Sequence, residues 1–146
     1  MATEFFETQV LSAWAIWILP FAAALIIPAV GKGSKHVTGY VAVGFALMSA
    51  ISAATLLPSA LEAHEIHNQI SWISAIDLKA GVLADPLAVI MANVVGWISF
   101  LIMVYSTGYM KGDKDLVRFW FWMMFFVGSM QLIVLSDNLL QMFFGW

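Results

Sequence analysis

Apolar residues in this chain come in long runs parted by short polar links, without the alternation of a half-buried strand or the narrow stripe of a soluble helix. The first run, Leu11 to Val30, holds no charge. Its length of about 20 residues, at ~1.5 Å rise, covers ~30 Å of hydrocarbon and predicts one transmembrane helix. Pro20 near its middle removes a backbone donor, which predicts a kink rather than a break. Gly31-Lys32-Gly33-Ser34-Lys35-His36 then turns the chain. Its glycines superficially resemble a phosphate loop, but the earlier glycine and the positioning strand are missing, so the segment reads as a turn. A second run extends from Val37 to about Ala60 and is rich in Ala, Gly, Ser and Thr. Ser52, Thr55 and Ser59 fall on one helical face and predict a close packing seam rather than a hydrophilic pathway.

Residues 61–85 form the extended polar segment, with a loose period of two in Ile70-Ser71-Trp72-Ile73-Ser74 and again in Ile76-Asp77-Leu78-Lys79 before Gly81. That alternation predicts a short β-hairpin. Glu62, His64, Glu65 and His67 have spacing that suits a divalent ion, yet such clusters at a helix end are more often exposed polar surface, and no metal is assigned. Asp85-Pro86 opens the third run as an N-cap followed by proline at the first helical position. Asn93, inside that run, must find a partner on a neighbouring helix and is read as packing glue. The charged link Lys111-Gly112-Asp113-Lys114-Asp115 leads to Arg118 at the foot of a fourth run, Phe119 to Leu135. Trp120, Phe121, Trp122, Phe125 and Phe126 there predict an interfacial belt merging into lipid-facing surface. Asp137 is read as capping the turn that follows. The stretch Leu139 to Trp146 has a span's composition but only about a third of the ~20 residues required, which predicts a fifth helix begun and a longer parent protein.

The expected fold is therefore an all-α membrane protein, with four transmembrane helices, the start of a fifth and a hairpin in the second loop. Its regions are residues 1–60 (spans one and two), 61–85 (the loop) and 86–146 (spans three, four and the start of five). Hydrophobic residues make up 62% of the chain and charged residues 10%, where soluble domains carry about 25% charged. The acidic start, with Glu4 and Glu7, and the long run behind it are unlike a secretory signal. Cysteine is absent, which excludes disulfides and thiolate metal sites. Six Lys and Arg with a net charge of -3 leave no basic field for a run of phosphates, so nucleic acid is not an expected partner. Those few basic residues set the orientation: Lys32 and Lys35 in the first link, and Lys111, Lys114 and Arg118 in the third, predict that both links face the cytoplasm and the amino terminus lies outside. No titratable group falls at membrane depth, so these spans form an apolar bundle without a proton path, and no soluble catalytic constellation is present.

From the third run onward the motifs become specific. Leu83-Ala84-Asp85-Pro86-Leu87-Ala88, Tyr105-Ser106-Thr107-Gly108-Tyr109-Met110, Arg118-Phe119 and Leu135-Ser136-Asp137-Asn138, continuing to Gly145-Trp146, resemble the amino-terminal region of the L subunit of respiratory complex I. The resemblance implies an antiporter-like subunit of the plasma membrane, at the distal end of the membrane arm, coupling quinone reduction to proton pumping. Its partners would be the other membrane-arm subunits and the bilayer. NADH or a related donor, such as reduced deazaflavin or ferredoxin, and quinone would be used by the parent complex, with no cofactor bound by this chain. It also implies a hairpin in the loop before span three. Asp85, Pro86, Tyr105, Ser106, Tyr109, Met110, Arg118, Phe119, Asp137, Asn138, Gly145 and Trp146 would then be structural or near-channel residues. The family's key acid follows the Gly-Trp pair, and its partner lysines lie on later helices, so no catalytic residue is assigned here. Two alternatives stand beside this one: the A subunit of a multisubunit sodium/proton antiporter, which is similar over the same region, and a small four-span assembly protein.

Overall fold

The computed structural model describes residues 2–62, 65–73 and 78–146. In chain order the elements are α1 (Ala2–Gly31), α2 (Val37–Thr55), α3 (Leu57–Leu61), β1 (Ile66–Ile73), β2 (Leu78–Ala84), α4 (Pro86–Tyr109), α5 (Leu116–Leu135) and α6 (Leu139–Gly145). Four segments are long and apolar enough to cross a membrane: Glu7–Gly31, Val37–Leu61, Pro86–Tyr109 and Leu116–Leu135. Helix α1 runs without interruption through both Pro20 and Pro28. Helix α2 instead stops short of the expected Ala60. Pro58 has no N–H to offer the Ala54 carbonyl and its ring crowds that turn, so the chain pivots at Leu56 and resumes as α3.

Helix α1 packs between α2 and α5, α4 packs on α2 and α5, and the four close a ring. The inward face of α2 is a row of small residues, Gly39, Ala42, Ala46, Ser49, Ala50 and Ala53, all buried. Large apolar side chains point the other way: Leu11, Leu25, Leu101 and Phe126 are all more than half exposed. A fold that lines its helix contacts with small residues and turns many of its large apolar side chains outward gains little from water, but suits lipid, where close backbone packing rather than hydrophobic burial holds helices together. The sequence placed the seam of α2 on the wrong face. Thr55 is exposed and Ser52 only partly buried, and both turn their hydroxyls back onto their own helix, at the Ser52 and Met48 carbonyls. Only Ser59 of that trio is buried, accepting a hydrogen bond from Gln9.

The hairpin covers one end of the ring. β1 and β2 pair antiparallel, from Ile66 opposite Ala84 to Ser71 opposite Lys79, with an irregularity between Ser71 and Ile73. Alternation in the sequence located it, but the strands begin at Ile66 and extend to Ala84, since the flanking residues pair as well. Ile66, Val82 and Ala84 are buried among Ala13, Ile16, Leu56, Val89 and Leu135, so the hairpin shares its core with the helices. Trp14 of α1 reaches up to it, donating from Nε1 to the Asn68 side chain at 3.0 Å.

Candidate functional site

The densest polar assembly among the described residues lies where α5 turns into α6 beneath the hairpin. Ser136 leaves α5 in an extended conformation and bridges Val82 of β2, which brings residues 137–141 alongside the strand. Asn138 caps α6: its Oδ1 accepts from the Gln141 backbone N–H at 2.8 Å, and its Nδ2 donates to the Lys79 carbonyl at 2.9 Å. The cap is therefore Asn138 and not Asp137. Asp137 instead turns toward the hairpin, with a side chain only 2% exposed. Its Oδ2 accepts from Gln69 Nε2 at 2.7 Å and lies 3.4 Å from His67 Nε2, while Oδ1 accepts from Asn138 Nδ2 at 2.6 Å. His67 is half exposed, so the carboxylate is shielded by an imidazole that itself meets solvent.

Gln141 completes the assembly by pairing with both backbone groups of one residue in the manner of a neighbouring strand. Its Nε2 donates to the Gly81 carbonyl at 2.8 Å, and its Oε1 accepts from the Gly81 N–H at 2.9 Å. Glycine is required at position 81 because an added Cβ would sit 2.0 Å from Asp137 Oδ2. Gly145 plays a similar part lower down, where a Cβ would come within 2.8 Å of Ile133 Cγ1 and hold α6 off α5. The next residue, Trp146, is almost wholly exposed.

Asp85 also lies at this end, accepting from the Ala88 N–H at 2.6 Å with Pro86 opening α4, as the sequence predicts. The remaining motif residues lie at the far end of α4 and α5. Tyr105 and Tyr109 stack at 5.7 Å, both exposed, Ser106 is buried, and Met110 caps the helix. Arg118 is exposed and Phe119 half-buried one turn into α5. Thus the twelve motif residues, read as one list from the sequence, divide between the two ends of the bundle, apart from Gly145 and Trp146, which lie along α5. Trp120 is a further correction: it is buried against Gly39 of α2, whose added Cβ would meet the indole at 3.0 Å, whereas Trp122, Phe125 and Phe126 do face outward. His64 of the Glu62/His64/Glu65/His67 set lies outside the described residues, and among those described no three His, Cys, Asp or Glu converge on a metal position. Asp77 of the expected hairpin likewise lies outside them.

Midway along the ring a second polar layer replaces charge with amides. Asn93 Nδ2 donates to the Ala53 carbonyl of α2 at 2.8 Å and to Val89 of its own helix at 2.9 Å, as expected of packing glue. Gln131, which the sequence reading passed over because it stands alone in an aromatic helix, is fully buried and donates to the Ala92 carbonyl at 3.0 Å. Gly96 makes room for this layer, since its Cβ would lie 3.2 Å from Ala50 Cα and 3.3 Å from the Gln131 amide. Ser49 ties α2 to the Ile16 carbonyl at 2.6 Å.

A ring of four apolar helices, closed at one end by a polar corner and a hairpin, defines a multi-pass membrane protein. Residues 70–120, from β1 through α4 to the foot of α5, match the family described as NADH-Ubiquinone oxidoreductase (complex I), chain 5 N-terminus. The chain is 37% identical over 136 residues to NADH-quinone oxidoreductase subunit L of Rickettsia bellii, covering 90% of this chain and 21% of the relative. It is 31% identical over 144 residues to the chloroplastic NAD(P)H-quinone oxidoreductase subunit 5 of Zygnema circumcarinatum, covering 90% and 20%. With that of Anthoceros angustus it shares 34% over 147 residues, covering 92% and 20%. The chain is homologous to the complex I chain 5/L subunits, in the part that family description places at their amino terminus. It spans about a fifth of the length of these relatives.

Proposed function

We propose that the chain is the amino-terminal part of an antiporter-like, membrane-arm subunit of a proton-translocating NADH:quinone oxidoreductase, set in the plasma membrane with its amino terminus outside. The observation that carries the reading is the match over residues 70–120, which takes in most of the hairpin, α4 and the charged link. The spans themselves act as a wall rather than a conduit. Within them the described charges stand only near the ends, at Glu7 and Arg118, and the buried interior positions hold amides and hydroxyls. Such groups hydrogen-bond across helices without being able to take up and release protons at membrane depth. Proton transfer is then the work of the rest of the subunit, and NADH or a related donor and quinone react elsewhere in the complex.

In this reading the motif residues are structural or near-channel. Asp85 and Pro86 start α4. Tyr105, Ser106, Tyr109 and Met110 end it, Arg118 and Phe119 begin α5, and Asp137, Asn138, Gly145 and Trp146 shape the wall against which later helices dock. Chain length does not set the parent's partners, so the test is biochemical. A tag on the chain, followed by mild detergent extraction from its own cells, should recover the other membrane-arm subunits together with NADH:quinone reductase activity. Recovery of sodium/proton antiporter subunits, or of the chain alone, would refute the assignment.

A further inference from the structure

The end of the ring opposite the hairpin holds a cavity of about 300 Å³ between the α1–α2 link, the end of α4 and the start of α5. Lys35, His36 and Lys111 line it, and its lining includes no carboxylate. Asp115, of the link that carries Lys111, lies instead in an adjoining recess that Lys35 also borders, together with Lys114 and Arg118. Lys35 Nζ donates to the Lys114 carbonyl at 3.3 Å, which sets the ammonium between the two recesses and uses one of its three donors. Trp120 and Gly39 close one side, and Gly108 leaves open space, since a Cβ there would meet nothing within 4 Å. The rim is amphipathic: Tyr40 lines the cavity, and the exposed Tyr105 and Tyr109 stand on the last turns of α4 beside it. Exposed tyrosines at the ends of apolar helices mark headgroup depth in a bilayer, where a lipid phosphate is present at high local concentration.

We propose that this cavity binds the phosphate headgroup of an anionic phospholipid, with Lys35 and Lys111 as its cationic contacts and Tyr40 at its acyl-side rim. Basic pockets between transmembrane helices favour such headgroups over zwitterionic ones because the lysines gain an uncompensated negative charge. A single phosphate suffices here, so the scarcity of basic residues that excludes nucleic acid does not count against it. The site stands independently of the complex I assignment.

The test is a titration of the purified, delipidated full chain with phosphatidylglycerol or phosphatidylcholine in detergent, read by native mass spectrometry. The wild type should take up phosphatidylglycerol in preference. Lys35→Gln and Lys111→Gln should each weaken that uptake about fivefold, whereas Lys79→Gln at the hairpin end should leave it unchanged. The paired Lys35→Arg and Lys111→Arg variant, which keeps the charge, should retain binding and shows that loss in the glutamine variants is not loss of fold. Equal uptake of the two lipids, undiminished binding by the glutamine variants, or displacement of the lipid by equimolar inorganic phosphate would each overturn the proposal.

Discussion

Gln131 and Gln141 are both buried amides, yet their surroundings give them opposite energetic roles. Both polar atoms of Gln141 are used, on the N–H and the carbonyl of buried Gly81. Gln131 uses only its nitrogen, and its Oε1 has no hydrogen-bond partner among the described residues. Replacing Gln141 by Met keeps the volume but strands both the N–H and the carbonyl of Gly81, at a cost of about 1–3 kcal/mol for each. Replacing Gln131 by Met loses one interhelical bond, worth roughly 0.6 kcal/mol in lipid, and removes an acceptor whose burial costs about 1–3 kcal/mol. Thermal unfolding in detergent, followed by circular dichroism, should therefore show Gln141→Met clearly destabilised and Gln131→Met unchanged or slightly more stable. Equal losses in the two variants would show that counting unpaired groups does not govern this interior. Asn93 resembles Gln131 in that its Oδ1 meets no hydrogen-bond partner among the described residues, but its amide donates twice, so its balance lies between the two.

At the scale of elements, hydropathy made the four spans, the Asp85-Pro86 start of α4 and the hairpin legible, because each rests on local chemistry. The inward faces were harder to read. In lipid both faces of a helix are apolar, so the face turned inward is marked only by small side chains, and α2 carries small residues nearly all round. Gly39, Ala42, Ala46 and Ala50 meet neighbours, while Ser52 and Thr55 do not. Trp120 was misread for the same reason: an aromatic at a helix foot suits the interface, and only the opposing Gly39 shows that it is buried. Ala50→Leu should then force α2 from α4 at Gly96 and cost about 1–3 kcal/mol. Ser52→Leu, turned outward, should stay within about 0.5 kcal/mol of the wild type. Denaturant titration in micelles measures both, and a larger loss at Ser52 would return the seam to the face first inferred. The polar corner was only half visible in sequence. Asp137 and Asn138 stood out by type, but that Asn138 caps the helix while Asp137 faces Gln69 depends on the hairpin lying overhead, some seventy positions away in the chain.

Across the whole molecule the two ends differ in charge, and that difference predicts its orientation. The contact between Lys35 and the Lys114 carbonyl brings the first and third links to one end, so Lys32, Lys35, Lys111, Lys114 and Arg118 gather there, while Lys79 stands alone at the hairpin end. Short links rich in Lys and Arg remain on the cytoplasmic side during insertion, and Asp113 and Asp115 weigh little against them. The hairpin, with His67 half exposed and Asp137 behind it, then faces outward. Because the chain has no cysteine, single reporters read this cleanly. A cysteine in place of Ser71, exposed on β1, should react with an impermeant maleimide on intact cells, whereas one in place of Ser34 should react only after lysis. The reverse pattern would put the lysine-lined cavity in the outer leaflet and the polar corner inside. Reaction at both positions in intact cells would mean that the charge difference is too small to fix a single orientation for this chain on its own, leaving that task to the subunits around it.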